Sequence, residues 1–90
     1  MIDVKKRFDL SVKMVKSLGD GASNDELLKL YALYKQSNFG NCNTEQPSSF
    51  NLKENAKWLA WNKLKGVSQL DAMNKYSDLV LKLFDTYGTR

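Results

Sequence analysis

The chain has 90 residues, 42% of them apolar and 27% charged, and its 14 basic and 10 acidic side chains give a net charge of +4. This length allows one modest hydrophobic core, and the composition is that of a globular rather than a disordered chain. With no histidine and one cysteine, Cys42, the sequence excludes an internal disulfide, a thiol–imidazole pair and a zinc cluster.

Targeting signals are also missing from the sequence. No apolar stretch approaches the roughly 18 residues that a membrane span needs, and the first residues lack the apolar segment of a secretory signal. Ile2 excludes N-myristoylation, and the last residues carry no prenylation signal. We therefore expect a cytoplasmic, stand-alone domain over residues 1–90, without stable membrane insertion.

The first helix is predicted over residues 3–18, with Asp3 as the N-cap and Gly19 and Gly21 at its end. Its apolar side chains recur at spacings of three and four, which predicts a buried stripe of Val4, Phe8, Val12, Val15 and Leu18. The other face carries lysines that suit either a solvated surface or contacts with an anion: Lys5, Lys6, Lys13 and Lys16.

A second helix follows a capping box formed by Ser23 and Glu26 and is predicted to run to about residue 38, before Gly40. One of its faces presents Leu27, Leu30, Tyr31, Tyr34 and Asn38 at helical spacing. Residues 40–52 are rich in turn formers and predict a long loop, a feature that is usually functional or crosses between elements. We expect Phe50 and Leu52 to pin this loop to the core.

The third helix is predicted over residues 53–65, before Gly66, and a fourth begins after Ser68 and continues to Gly88. The fourth helix carries an apolar stripe of Ala72, Met73, Tyr76, Leu79, Val80 and Leu83. No segment shows the alternation of a half-buried strand, so the fold class is all-α with about four amphipathic helices.

Positive charge is concentrated in the first and third helices. Residues 1–18 carry five basic and two acidic side chains, and residues 53–65 carry four and one, so each segment has a charge of +3. Residues 19–52 sum to −2 and residues 66–90 to zero. This distribution indicates an anionic partner.

Two pairs of residues four apart place phenol rings and ammonium groups on shared helix faces: Tyr31 with Lys35, and Lys53 with Lys57. Such a surface suits a nucleotide-like anion, because rings stack on a base and lysines act as movable charges on phosphate. The alternative is that the aromatic residues are core side chains with polar tips, which applies to Tyr31, Tyr34, Trp58, Trp61 and Tyr76; we expect Trp61 to be core.

Catalytic motifs are missing. The sequence has no glycine-rich phosphate loop, no paired carboxylates in an apolar setting and no nucleophile beside a base. We therefore expect a binding domain rather than an enzyme, without cofactor or metal.

Several segments together resemble the acyl-CoA-binding protein family: LYALYKQ at residues 30–36, GNCNT at 40–44 followed by Pro47, and AKWLAWN at 56–62. The resemblance extends from Phe8 to about Leu83. It implies a four-helix bundle with an up-down-down-up course and a long loop between the second and third helices. It also implies a monomeric intracellular carrier and pool former that binds medium- to long-chain fatty acyl-CoA reversibly.

The resemblance further assigns roles to residues. Tyr31, Lys35 and Lys57 match contacts with the 3′-phosphate and nucleotide, and Tyr76 matches another ligand-contacting tyrosine. Lys16 and Lys53 match further basic contacts, while Ala32, Leu33 and Tyr34 complete the ligand-lining turn. Phe8 and Leu28 are apolar candidates near the acyl chain. The chain departs from the family pattern at Gln46, Glu54 and Asn55, where relatives often have arginine, glycine and lysine.

The residues also leave two other functions open. A basic nucleic-acid-binding helical domain would use the lysine and aromatic faces, although acids interrupt its basic residues. A helical recruitment module of a larger protein would use the same amphipathic faces for a protein partner.

Overall fold

The computed structural model describes residues 3–18 and 21–88. Within these ranges the chain forms helices and no strands, which confirms the all-α prediction. The helices are α1 (Val4–Val15), α2 (Asn24–Phe39), α3 (Leu52–Asn62) and α4 (Gln69–Tyr87).

Side-chain contacts give the relative directions of the helices. Glu26 near the start of α2 meets Tyr87 at the end of α4, so these two helices run antiparallel. Lys57 and Trp61 of α3 lie against Tyr31 and Lys35 of α2 in the same order, so α2 and α3 run parallel. α4 packs against both α1 and α2, whereas α3 packs against α2.

The predicted helix starts are confirmed. Asp3 accepts a hydrogen bond from the Lys6 amide at 2.8 Å, and Ser23 and Glu26 form the reciprocal capping box. Ser68 accepts from the amide of Asp71, three residues into α4. Each cap satisfies backbone N–H groups that have no partner in the first turn of a helix.

The core lies where α4 meets α1 and α2, and it uses the predicted stripes of the first and fourth helices. Its buried residues include Phe8, Leu18, Leu30, Leu33, Tyr76, Val80 and Leu83. The face predicted for the second helix is different: Leu27 is 50% exposed and Tyr34 41% exposed, while Ala32, Gln36 and Ser37 are buried instead. Because α3 and α4 both pack against α2, its buried residues do not form one stripe.

The expectation that Phe50 and Leu52 pin the loop to the core is wrong, since these side chains are 95% and 76% exposed. Polar contacts hold the loop instead. The indole of Trp58 donates to the Thr44 carbonyl at 2.9 Å, and Gln46 donates to the side chain of Asn55. α3 begins at Leu52, with Asn51 as its N-cap, and ends at Asn62, before a turn to Gly66.

A buried polar network centred on Gln36 joins α2 to the loop, to α3 and to the turn before α4. The Gln36 side-chain amide donates to the Val67 carbonyl at 2.7 Å and to the Asn41 side chain at 3.1 Å. The Trp61 indole donates to the Gln36 oxygen and to the Gly40 carbonyl. Gln36 is 0% exposed, so these hydrogen bonds form away from competing water.

No helix in the described ranges is both long enough and apolar enough to cross a membrane. In the same ranges, no three acidic or cysteine side chains come together as potential metal ligands.

Gln36→Leu keeps most of the side-chain volume and removes the hydrogen bonds, which deprives the Val67 carbonyl of its partner in a partly buried setting. We expect the free energy of unfolding to fall by about 2–4 kcal/mol. Urea denaturation followed by circular dichroism measures this loss. The control is Gln46→Leu, which removes an exposed amide pair and should cost well under about 1 kcal/mol. Equal losses in both variants would contradict the structural role of the network.

The pKa of Glu26 lies below its usual value, first because its carboxylate accepts from the Ser23 backbone and then because Tyr87 donates to it. A carboxyl group with a lowered pKa stabilises the fold above its unfolded pKa, and the contribution disappears as the pH falls through the folded pKa. We expect the free energy of unfolding of Glu26→Gln to fall less than that of the parent chain as the pH is lowered. Denaturant titrations from neutral to acid pH measure this difference. The control is Glu45→Gln, which removes one negative charge from the loop. If its free energy of unfolding depended on pH as weakly as that of Glu26→Gln, the contacts of Glu26 with Ser23 and Tyr87 would not be the cause.

Candidate functional site

Two ammonium groups converge on the ring of Tyr31, between α2 and α3. Lys35 Nζ lies 5.9 Å from the ring centroid and Lys57 Nζ lies 5.3 Å from it. Lys35 also lies over the rings of Phe39 and Trp61, at 4.8 and 5.4 Å. Contacts of this kind attract a cation to a ring face and hold the lysine heads close to one point. The structure therefore brings together the three residues that sequence predicted as phosphate and nucleotide contacts.

Glu54 modifies the charge of this cluster. Its carboxylate lies 3.7 Å from Lys57 Nζ, one turn away on α3, so the acid that follows Lys53 in sequence pairs with the other lysine. Burial raises the pKa of the Tyr31 hydroxyl, and the charge of Glu54 raises it further. The hydroxyl thus stays protonated at neutral pH and is able to donate to an anion.

A groove of about 430 Å³ opens next to the cluster, and we call it the small groove. Its apolar lining comes from Leu27, Leu28 and Ala56, and its polar lining includes Tyr31, Lys53 and Lys57. Aliphatic side chains and positively charged side chains therefore border the same space. This arrangement can hold a molecule that is apolar at one end and anionic at the other.

A second space of about 840 Å³ lies between α2, α3 and α4, and we call it the large groove. Leu28 and Ala56 border both grooves, and the remaining aliphatic lining is Ala32, Leu33, Leu59, Ala60, Leu64 and Leu79. At about 100° per residue, Leu33 lies about 200° from Tyr31 around α2, and Leu59 about 200° from Lys57 around α3. The two grooves therefore open on different sides of α3.

Tyr34 and Tyr76 belong to a third cluster, with Phe8. The rings of Phe8 and Tyr76 meet edge to face with their centroids 5.1 Å apart. The centroid of the Tyr34 ring lies 6.1 Å from that of Phe8 and 6.3 Å from that of Tyr76. Tyr76 is 4% exposed, and this burial raises the pKa of its hydroxyl, with a smaller contribution from Tyr34. Phe8 is equally buried, so it supports the tyrosines from the core.

The predicted residues thus divide by position. Tyr31, Lys35, Lys53 and Lys57 gather beside the small groove, whereas Ala32 and Leu33 line the large one. Lys16 is the exposed C-cap residue of α1 and, in the described part of the chain, borders neither groove.

Sequence reasoning missed Leu27 and Ala56 as lining residues and gave Gln36 no structural role. Leu27 lies four residues before Tyr31, and Ala56 lies three after Lys53, so helical spacing from the predicted contacts contained the signal for both.

Comparisons with known proteins agree with the fold. The family described as Acyl CoA binding protein matches residues 5–80. The Acyl-CoA-binding protein homolog 1 of Caenorhabditis elegans is 48% identical over 90% of this chain and 94% of its own length. The Acyl-CoA-binding protein of Saccharomyces cerevisiae is 45% identical over 96% of this chain and 99% of its own.

A solved structure shows the same fold. The crystal structure of Oryza sativa Acyl-CoA-Binding Protein 2 superposes with a TM-score of 0.90 at 37% identity, covering 92% of this chain and 90% of that one. The resemblance and the fold type predicted from the sequence motifs are thus confirmed, and the chain belongs to the acyl-CoA-binding protein family.

Proposed function

We infer that this chain binds medium- to long-chain fatty acyl-CoA esters reversibly and acts as an intracellular carrier and pool former. The observation that carries this function is the position of the Lys35 and Lys57 ammonium groups on the Tyr31 ring, directly beside an apolar groove. An acyl-CoA has the matching chemistry, because it joins an alkyl chain to a nucleotide with several phosphate charges.

The nucleotide end of the ligand is assigned to the Tyr31 cluster. The two lysines neutralise a phosphate and are themselves relieved of mutual repulsion when it binds. The Tyr31 hydroxyl adds a neutral donor, and the exposed part of its ring offers a flat surface to a base. Lys53, at the rim of the small groove, adds a third positive charge on the same side of α3.

The acyl chain is assigned to the small groove, against Leu27, Leu28 and Ala56. Each methylene that leaves water contributes about 0.8 kcal/mol, so affinity rises with chain length until the groove is filled. Lys57 borders the groove as well as the Tyr31 ring, which allows one molecule to reach both.

We further propose that residues 1–90 act as a single domain that is monomeric and cytoplasmic, binds no nucleic acid and leaves its ligand chemically unchanged. The free thiol of Cys42 suits a reducing compartment. Acidic residues interrupt the basic ones along the sequence, which disfavours a basic stripe for a nucleic-acid backbone. A chain without histidine also lacks the commonest general base.

Lys35→Ala and Lys57→Ala each remove one positive charge from the Tyr31 cluster. We expect each to weaken palmitoyl-CoA binding roughly tenfold or more, because a charge-assisted hydrogen bond contributes about 1.5–3 kcal/mol. Isothermal titration calorimetry measures the change. Lys6→Ala, on α1, is the matched control and should bind like the parent chain. Free CoA should bind far more weakly than the ester.

An unchanged affinity in both cluster variants would place the phosphates elsewhere. A failure of palmitoyl-CoA to bind the parent chain would overturn the proposed function itself.

Glu54→Gln removes the carboxylate that pairs with Lys57. Because the pair is partly exposed and its atoms are 3.7 Å apart, its energy is small, and we expect palmitoyl-CoA to bind a few-fold more tightly, by less than about 1 kcal/mol. The gain should shrink as salt screens the charges, which titrations at low and high ionic strength would measure. Glu45→Gln gives the same change of net charge without that pair, so an equal gain there would argue for a general charge effect.

A further inference from the structure

We propose that the large groove is a second ligand site, which takes a single alkyl chain ending in a compact anion such as a carboxylate or a phosphate monoester. The acyl-CoA assignment does not use this groove, although it is the larger of the two. Side chains from α2, α3 and α4 line the groove, and their chemistry indicates one class of ligand.

The lining is apolar and remains open to solvent. Ala32 and Leu33 form a floor that is only 3% and 7% exposed, while Leu59 at the lip is 42% exposed. Within residues 3–18 and 21–88, α3 packs on α2 and not on α4, so the gap between α3 and α4 is left unfilled. Aliphatic surface of this kind is costly to expose and often marks a binding site.

The rim of the groove is positively charged. Lys29 lies on α2, Lys75 lies on α4 and Lys63 is the C-cap residue of α3, and the one acidic residue at the rim is Asp25. In the described part of the chain, no carboxylate lies within ion-pair distance of these three ammonium groups. Lysine stems extend apolar surface while their heads reach water, so the three can close on the anion of a chain lying along the leucines.

The size of the groove favours a small amphipathic molecule over a partner helix. A space of about 840 Å³ is within the range of small-molecule pockets, roughly 300–1,000 Å³. Three turns of a helix about 10 Å across would occupy on the order of 1,300 Å³. A docked helix would therefore lie mostly outside the groove, whereas a single alkyl chain fits within it.

The large groove and the Tyr31 cluster should bind independently. Lys57 and Leu59 project to different sides of α3, so a molecule on the leucine side does not need to displace a nucleotide on the lysine side. The proposal therefore predicts simultaneous binding rather than competition.

The test titrates the ¹⁵N-labelled chain, carrying one equivalent of palmitoyl-CoA, with laurate below its micellar concentration and in parallel with 1-lauroyl lysophosphatidate. We expect one further saturable equivalent, with amide shifts around Leu59 to Leu64 and Lys75 to Leu79. The anion that binds more tightly identifies the preferred head group. Titration of the ligand-free chain gives the same readout, so failure of acyl-CoA binding remains distinguishable from failure of this site.

Leu59→Asp places a carboxylate at the lip of the groove and should weaken the second ligand roughly tenfold or more, while palmitoyl-CoA binding is retained. The control is Leu81→Asp, at another exposed leucine, on α4 and outside both grooves, which should leave both ligands unaffected. Lys63→Ala with Lys75→Ala should weaken the anion more than Lys65→Ala with Lys82→Ala.

Three results would overturn the proposal. One is that neither lipid gives saturable shifts; another is that laurate displaces palmitoyl-CoA. The third is that an acidic amphipathic peptide shifts the groove amides while both lipids fail, which would make the surface a protein-docking site.

Discussion

The position of α3 depends on the buried amide of Gln36. α3 packs against α2 alone among the described helices, so it lacks the second helical neighbour that fixes α2 and α4. The Trp61 indole supplies the missing constraint, because it donates hydrogen bonds to the Gln36 side-chain oxygen and to the Gly40 carbonyl. The Gln36 amide also donates to Asn41, in the loop before α3, and to Val67, in the turn after it, so both segments that flank α3 are held at the same residue. An apolar residue at position 36 could fill the same space, but it could not hold the Trp61 indole in one orientation by a hydrogen bond. The network therefore sets the register of α3 along α2. That register is what places Lys57 over Tyr31.

Holding α3 from one side also explains why this small domain has open apolar surface. A helix that packs on a single neighbour leaves a groove along each flank, and here one flank meets the Tyr31 cluster while the other faces α4 across a gap. Leu28 and Ala56 lie at the seam between the two flanks, where α2 and α3 touch. The stability of the contact and the shape of both grooves are therefore consequences of the same packing. Larger side chains at the seam would separate the helices and move the lysines away from the tyrosine.

Features set by local sequence were predictable, and those set by distant partners were not. Capping at Asp3, Ser23 and Ser68 depends on residues three apart, and the stripes of α1 and α4 each face one core, so both could be read from spacing. The buried side of α2 could not, because α3 and α4 both pack against it and because the polar residues Gln36 and Ser37 are among those buried. Phe50 and Leu52 were misassigned because apolar character alone does not say whether a loop turns inward.

In the site, a spacing of four residues singled out Tyr31, Lys35, Lys53 and Lys57. The family resemblance then assigned Tyr31, Lys35 and Lys57 to phosphate and nucleotide contacts. It also carried over Ala32 and Leu33, which the fold places on the other flank of α3.

The weak contacts of the lysines suit reversible binding. Lys35 and Lys57 rest on aromatic rings and, for Lys57, beside a partly exposed carboxylate, and interactions of this kind are each worth about 1 kcal/mol or less at exposed positions. They keep the ammonium groups near Tyr31, which in the proposed function would reduce the ordering cost of binding, and they are weak enough to be exchanged for a contact with phosphate. A buried ion pair would hold the lysines more firmly but would have to be broken for each ligand. The rigid part of the site is thus the Gln36 network behind α3, and the adjustable part is the layer of lysines on its surface.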